Sequence, residues 1–600
     1  MRPGEGWIGR LFDLDVHIDA RVPSRRELTV ELRFAPRAVA SVGADHVDLF
    51  APVWTPGSYL VREYSRHHGR VTAVGADGTT RRCAKVAKNR VRVEFQPGDD
   101  VLVVRWTVYA HELSVRTADL TDAHAYWNHA CLLLWPVGGE GLRARVQVAF
   151  PADWQIATAA AQRPAVAGND AGGLAVFEPR ELAAIVDAPI LIGRNRRIDW
   201  TIRGVLHSVV LDGLAGIEPR PTLAADIEAI VEQAAAVFGG DLPYARYLFL
   251  CLFAEEGHGG LEHAESTTLL TGRAAFASDK GYREFLSLAA HELFHAWNVK
   301  RLRPVEFWQY DYERENYTDF LWLIEGWTAY YDDLLCLRAG LFTRAQYLEA
   351  MAKNVETMLG APGRRKLSLR ESSHDAWIRL YRPDENTRNS SQNYYGNGAV
   401  AAMCLDLHIR LATDGSCCLD DVLRRLWATT FARGRGYTRS DVDAALAEVA
   451  GPAAIRQLAE LVDDRLDPPL AELLASFGLA LQRRDTDRVM LGVQFASGSL
   501  VVASVTAGTP ADEAGLHPGD EVLAVAGLRA SASSWQDLWS AVAKAEANVE
   551  VLIARRGVVQ QVRVRPVPSQ GSIALEVRAT TTADERRRLA AWLPERPEKR

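Results

Sequence analysis

Between residue 11 and about residue 200 the chain alternates. Glu27-Leu28-Thr29-Val30-Glu31-Leu32-Arg33 and Val91-Arg92-Val93-Glu94-Phe95 place apolar and polar side chains on opposite faces, the period of a half-buried strand. Gly, Pro, Asp and Asn clusters punctuate these runs and predict hairpins in a sandwich or saddle. From about 205 the period lengthens. A helix is predicted over 223–238, stopped by Gly239-Gly240, then an apolar strand over 247–253 and a core helix over 283–299. The segment 318–335 is apolar nearly all round, so it reads as a buried helix, capped by Thr318 or Asp319 and closed by Gly340. Helical patterns continue from 341 to about 479, interrupted by the polar stretch 381–390, and a new apolar helix is predicted from Ala399. Beyond 487 strands return: one starting at Leu491-Gly492-Val493, one over 500–505, a short helix, turn and strand over 510–525, a helix over 534–542 and a closing hairpin over 549–565.

These changes of period predict a multidomain α+β protein. The boundaries are an N-terminal β-rich domain over 1–203, a catalytic-type mixed domain over 204–340, its helical continuation over 341–482, a small β domain over 483–570, and a charged tail over 571–600 that forms a helix with a frayed end. Hydrophobic content of 48% and charged content of 24% are those of an ordinary globular protein. A net charge of −7 over 600 residues leaves no footprint for nucleic acid or an anionic membrane. No apolar run approaches 18 residues, so no membrane span is expected. The N-terminus lacks a basic start followed by an apolar stretch, so no secretory signal is expected. Seven cysteines, mostly in apolar segments such as those of Cys251 and Cys336, read as reduced core residues of a cytoplasmic protein; the adjacent pair Cys417-Cys418 is a poor metal site.

One stretch carries chemistry. In Ala290-His291-Glu292-Leu293-Phe294-His295-Ala296-Trp297 two histidines four apart project from one helix face, so both imidazoles can bind one metal ion while the carboxylate between them reaches a water on it. A third ligand is needed. Glu325 lies in the middle of the apolar segment 318–335, where a lone ionised carboxylate is costly unless it is paired or metal-bound. A buried salt bridge is the bland account; metal coordination is favoured. Two further stretches are less decided. Trp54-Thr55-Pro56-Gly57-Ser58-Tyr59-Leu60-Val61-Arg62-Glu63-Tyr64 is a Pro-Gly turn whose aromatics either line a cleft or pack under a core. Tyr394-Tyr395-Gly396-Asn397-Gly398 opens a helix, and a tyrosine there either faces a cleft or is buried packing.

The residues resemble a family. WTPGSYLVREYSR at 54–66, GGLEHAEST at 259–267, HELFHAWNVKRLRP at 291–304, LWLIEGWTAYYDDLL at 321–335 and YYGNG at 394–398 are similar to the glycyl aminopeptidase family of gluzincin zinc metallopeptidases, over nearly the whole chain. The resemblance implies an N-terminal β domain, a thermolysin-like catalytic domain with helical continuation, and a C-terminal PDZ domain. It implies one Zn2+ per chain on His291, His295 and Glu325, with Glu292 as general base. It implies that Gly259, Gly260 and Glu262 bind the substrate's N-terminus, Glu262 holding the α-ammonium, and that Tyr395 donates to the oxyanion. A fixed carboxylate a residue's length from the metal selects free N-termini whatever the family. Where the family pattern carries lysine, this chain has Asn397, a departure that bears on substrate preference. The stretch 510–525 resembles a PDZ domain of the bacterial protease type, which implies a carboxylate-binding loop at Leu491, Gly492 and Val493 and a possible peptide ligand.

The leading expectation is a zinc aminopeptidase removing small N-terminal residues, Gly or Ala, from peptides. An endopeptidase with PDZ-guided substrate binding is the variant within the class, and a non-catalytic PDZ peptide-binding scaffold is the alternative outside it. The presence of His291, Glu292, His295, Glu325 and Tyr395 together argues against the scaffold.

Overall fold

A computed structural model describes residues 12–163, 172–465, 467–484 and 486–595. The end of the predicted tail, 596–600, and the start of the N-terminal domain, 1–11, lie outside the described residues. The described chain forms two compact units: residues up to Tyr317 with Trp427–Tyr437, and Thr318–Leu426 with Thr438 onwards.

The first unit opens with the expected β structure. An eight-stranded sheet has Leu14–Asp19 at its centre, antiparallel to Glu27–Phe34 and parallel to Ala144–Phe150. Glu27–Phe34 buries every second side chain, and Leu28, Val30, Leu32 and Phe34 enter one core with Val16, Trp106 and Val146. Two four-stranded sheets pack around this core, one ordered Gln155–Ala157, Ile190–Gly193, His124–Trp127, Ala118–Leu120.

A five-stranded sheet follows, ordered Arg196–Ile202, Val205–Asp212, Arg246–Ala254, Ser266–Gly272 and Gly259–Glu262. The three middle strands are parallel, and Gly259–Glu262 runs antiparallel at the edge. Helix Leu223–Val237 makes the crossover between the parallel strands, as such a connection requires, and Gly239 and Gly240 take positive φ just past its end. The helix bearing His291 runs from Asp279 to Phe294, four residues earlier than its apolar spacing predicts, because Ser278 caps it by accepting from Gly281 N at 3.0 Å.

In the second unit the segment expected as one capped α-helix begins instead with a π-helical turn, Trp322–Trp327, continuing as α-helix Thr328–Arg338. Neither Thr318 nor Asp319 caps it: Asp319 pairs with His374 at 2.9 Å, and Trp322 N donates to Ser373 Oγ at 3.0 Å. Gly340 closes the helix in the left-handed region as expected. After helix Arg344–Leu359, the helix expected from Ala399 starts three residues earlier, at Gly396, and runs to Ala412. It approaches the π turn so closely that a Cβ on Gly326 would stand 2.6 Å from Gly398 Cα and 2.8 Å from Tyr394 O. Only backbone against backbone fits there.

The C-terminal β domain has its own core, including Val502, Val522, Val551, Ile553 and Trp539. Its turn is held to the helical region by Asn389, which donates to Val505 O at 2.8 Å and accepts from Ala507 N at 2.8 Å. Helix Ala583–Trp592 packs the tail, with Trp592 donating to Tyr330 OH at 2.9 Å. All seven cysteines are free thiols, four of them buried. Among the described residues no helix is long and apolar enough to cross a membrane.

Gly398→Ala is expected to lower stability by about 2 kcal/mol through overpacking against Gly326, although Gly→Ala inside a helix ordinarily stabilises by about 1 kcal/mol. Urea unfolding of the variant checks this; an unchanged or raised midpoint contradicts the close crossing.

Candidate active site

The helix Asp279–Phe294 ends one residue before His295, so His291 and His295 lie a turn apart with ring centroids 4.8 Å apart and planes at 83°. His295 is buried, and its Nδ1 meets the backbone carbonyl of Asn298 at 2.8 Å. A carbonyl only accepts, so Nδ1 carries the proton and Nε2 keeps its lone pair for a metal, the outer-shell arrangement typical of ligating histidines. Asn298 is aimed there by a strained turn. Val299, β-branched, sits at φ 135°, a conformation that bulky residues avoid. It is held by Lys300 N on His295 O at 3.0 Å and Leu302 N on Trp297 O at 2.8 Å.

The edge strand Gly259–Glu262 lies against this helix. A Cβ on Gly260 would fall on the Glu292 carboxylate, so the strand's approach requires glycine. Two positions on, Glu262 points to the same face. One ligand atom each of Glu262, Glu292 and His295 lie within 4.8 Å of one another, all three residues buried. Two carboxylates at that separation repel strongly in a medium poorer than water, and a metal cation or a substrate ammonium offsets the repulsion. The donor set of imidazole nitrogen and carboxylate oxygen suits zinc. Over Glu262 lies the turn of the N-terminal domain: Gly57 has φ 87°, and a Cβ there would stand 2.7 Å from Glu262 Oε1. The aromatics of that segment pack rather than line a cleft: Trp54, Tyr59 and Tyr64 are all buried. Tyr59 stacks on Phe307 at 5.7 Å and Trp54 donates to Asp311 O at 2.8 Å, while the turn itself roofs the carboxylate.

An ion pair between a buried lysine and a half-buried aspartate fixes the far end of the strand. Lys300 Nζ lies 2.6 Å from Asp187 Oδ1, and Asp187 Oδ2 accepts from Ala264 N at 2.8 Å, next to the hairpin that follows Glu262. Burial by itself pushes Lys300 down, but Asp187 and more weakly Glu262 hold it above its usual value. Burial likewise raises Asp187, and Lys300 and His263 outweigh it, keeping the carboxyl far below the usual range. Arg301 Nη1 adds bonds to Ala264 O at 3.0 Å and Ala296 O at 2.7 Å, joining hairpin to helix end. In the sequence the Lys-Arg pair is only part of a motif; its role as the clamp behind Glu262 follows from contacts with Asp187 and Ala264, distant in sequence.

In the second unit Glu325 is buried within the π turn, a local geometry frequent at functional sites. Tyr395 immediately precedes helix Gly396–Ala412, stacks on Tyr394 at 5.0 Å and has its hydroxyl 3.1 Å from that of Tyr381. Burial, followed by the charge of Glu325 and the neighbouring phenols, holds the Tyr395 pKa well above its ordinary value, so the phenol stays a hydrogen-bond donor. Asn397 is buried and donates to Gln392 Oε1 at 3.0 Å, a packing role. Tyr381 escaped sequence reading because it sits in a polar stretch without period. In the C-terminal domain the carbonyls of Leu491 and Gly492 accept from Ala511 N and Thr506 N, both at 2.9 Å. Gly492 has φ 95° and no room for a Cβ beside Thr509. Val493 begins the strand Val493–Phe495.

Residues 284–401 match the M61 glycyl aminopeptidase family, residues 15–194 the peptidase M61 N-terminal domain, and residues 484–565 the PDZ domain. Among solved structures, an aminopeptidase N family protein from Idiomarina loihiensis is similar, with 28% identity, TM-score 0.88, and 97% of this chain and 100% of that one covered. An M1 zinc metallopeptidase from Deinococcus radiodurans is more distant, at 18% identity and TM-score 0.49, covering 76% of this chain and 94% of that one. No curated protein matches. Fold and domain content define a peptidase of the aminopeptidase type. The chain carries the two domains of the M61 glycyl aminopeptidases and, C-terminal to them, a PDZ domain.

Lys300→Met removes the main cationic partner of Asp187 and is expected to cost about 2 kcal/mol at pH 7. Asp187 is depressed in the folded chain, so its contribution is complete above the unfolded carboxylate pKa of about 4 and is lost as pH falls below it. Unfolding curves of wild type and variant should therefore converge on acidification below about pH 4; a pH-independent gap contradicts the pair's role.

Proposed function

We propose that this enzyme removes small N-terminal residues, Gly or Ala, from peptides, using one zinc ion held by His291, His295 and Glu325. The gathering of Glu262, Glu292 and His295 within 4.8 Å beside an open strand edge carries the reading. It supplies in one place a metal ligand, a base and an anchor for a cation. Glu325 is the third ligand: its burial in an apolar π turn calls for a cation nearby.

When bound, zinc supplies the Lewis acid that makes water a nucleophile at neutral pH and polarises the scissile carbonyl. The protein groups do the rest. Glu262 takes the substrate's α-ammonium in a charge-assisted bond and so fixes the first peptide bond beside Glu292. Glu292 accepts the proton of the attacking water and returns one to the leaving amine. The protonated Tyr395 hydroxyl donates to the oxyanion as charge develops. The roof at Gly57 over the anchor supports the preference for glycine and alanine, since a larger first side chain meets the turn. The PDZ loop at Leu491, Gly492 and Val493 is assigned to a peptide carboxylate on its resemblance alone.

Glu292→Gln is expected to lower kcat on glycyl- and alanyl-anilides by about 10²–10⁴-fold while elemental analysis still finds one zinc per chain. A wild type without zinc, or a variant as fast as wild type, refutes the assignment.

A further inference from the structure

The strand Gly259–Glu262 has one unpaired side. His263 N donates to Ser266 O at 2.9 Å and closes a tight hairpin. Bonded pairs alternate in an antiparallel ladder, so with the observed register Leu261–Thr268 and Gly259–Leu270 are bonded pairs. Gly260 and Glu262 therefore turn their N–H and C=O groups away from the sheet, where no further described strand pairs. An extended peptide can add there.

Three groups succeed one another along this edge. The Glu262 carboxylate comes first, the Glu292 carboxylate lies against Gly260, and the Arg116 guanidinium stands at the Gly259 end. With its amine on Glu262, a peptide whose first bond is beside Glu292 runs antiparallel to the strand. At about 3.4 Å per residue its second and third residues come level with Gly259.

Arg116 is set for what they carry. Its Nη2 donates to Gly260 O at 3.3 Å, and its Nη1 is 3.9 Å from where a Cβ of Gly259 would stand. Its Nε is buried and without a hydrogen-bond partner. No carboxylate among the described residues forms an ion pair with it. The backbone beneath is held: Arg116 O accepts from Tyr64 OH at 2.9 Å and Cys131 Sγ at 3.2 Å, and Arg116 N donates to Ser114 Oγ at 3.2 Å. A half-buried guanidinium lacking an acidic partner offers a planar fork of donors to an incoming carboxylate.

We infer that Arg116 binds the C-terminal carboxylate of a short substrate, so that the enzyme favours dipeptides and tripeptides with a free C-terminus. The inference rests on the reading of Glu262 as amine anchor.

The test compares kcat/KM for Gly-Ala and Gly-Ala-Ala as free acids and as C-terminal amides, in the full-length zinc enzyme and in Arg116→Gln and Arg116→Lys. In wild type at least one acid should exceed its amide by about tenfold or more. The ratio should fall to near one in Arg116→Gln and be partly kept in Arg116→Lys. A wild-type ratio near one, or a ratio preserved in Arg116→Gln, overturns the inference. Gly-Ala-Asp amide separates the sources of the carboxylate: if it matches the free acids, the site reads an acidic side chain and the assignment to chain length falls. Should the variants cleave nothing, inhibition of wild-type glycyl-anilide hydrolysis by Ala-Ala acid against Ala-Ala amide decides, the acid being expected to bind more tightly and equal binding being contrary. Glycyl-anilide carries no carboxylate, so a wild type that leaves it intact locates the failure in the aminopeptidase reading, and this inference falls with it.

Discussion

The site depends on the close approach of a sheet edge to a helix. Gly260 has no Cβ, so the edge strand lies directly on the Glu292 carboxylate. Any side chain there would push the strand outward and part Glu262 from Glu292. The approach is held at the other end by the Lys300–Asp187 pair and by Arg301 on the hairpin and helix carbonyls. Rigid elements hold these groups, as the proposed positioning of a peptide requires.

That approach has an electrostatic consequence. Two buried carboxylates are brought together beside a histidine whose proton is fixed on the outer nitrogen. Such a cluster is costly by itself and becomes favourable when cations arrive. On the proposed reading two do, the metal on one side and the substrate's ammonium on the other. The strained Val299 turn, which aims the Asn298 carbonyl at His295, is a further cost that the functional geometry carries.

Much of this was legible beforehand because it depends on local spacing. The His-Glu-x-x-His register follows from helix geometry, and Glu325 was conspicuous as a charge in an apolar helix. Strands such as Glu27–Phe34 and the hairpin of the C-terminal domain follow from alternation. What stayed hidden depends on contacts distant in sequence. The π turn at Trp322–Trp327 arises where Gly326 meets Gly398, 72 positions on. Gly57 over Glu262 and Arg116 beside Gly260 join segments separated by 205 and 144 positions. Arg116 lies in a loop without period, and nothing local distinguishes it from a solvated arginine. The Ser278 cap was missed because the apolar spacing begins after it.

On the proposed reading, a free α-ammonium on Glu262 sets the register of the first peptide bond. The most direct measurement is kcat/KM for Gly-Ala-Ala against its N-acetylated form under identical conditions. Acetylation is expected to slow cleavage by at least about a hundredfold, since it removes the cation and leaves Glu262 buried beside a neutral amide. Equal rates for the two peptides would contradict it.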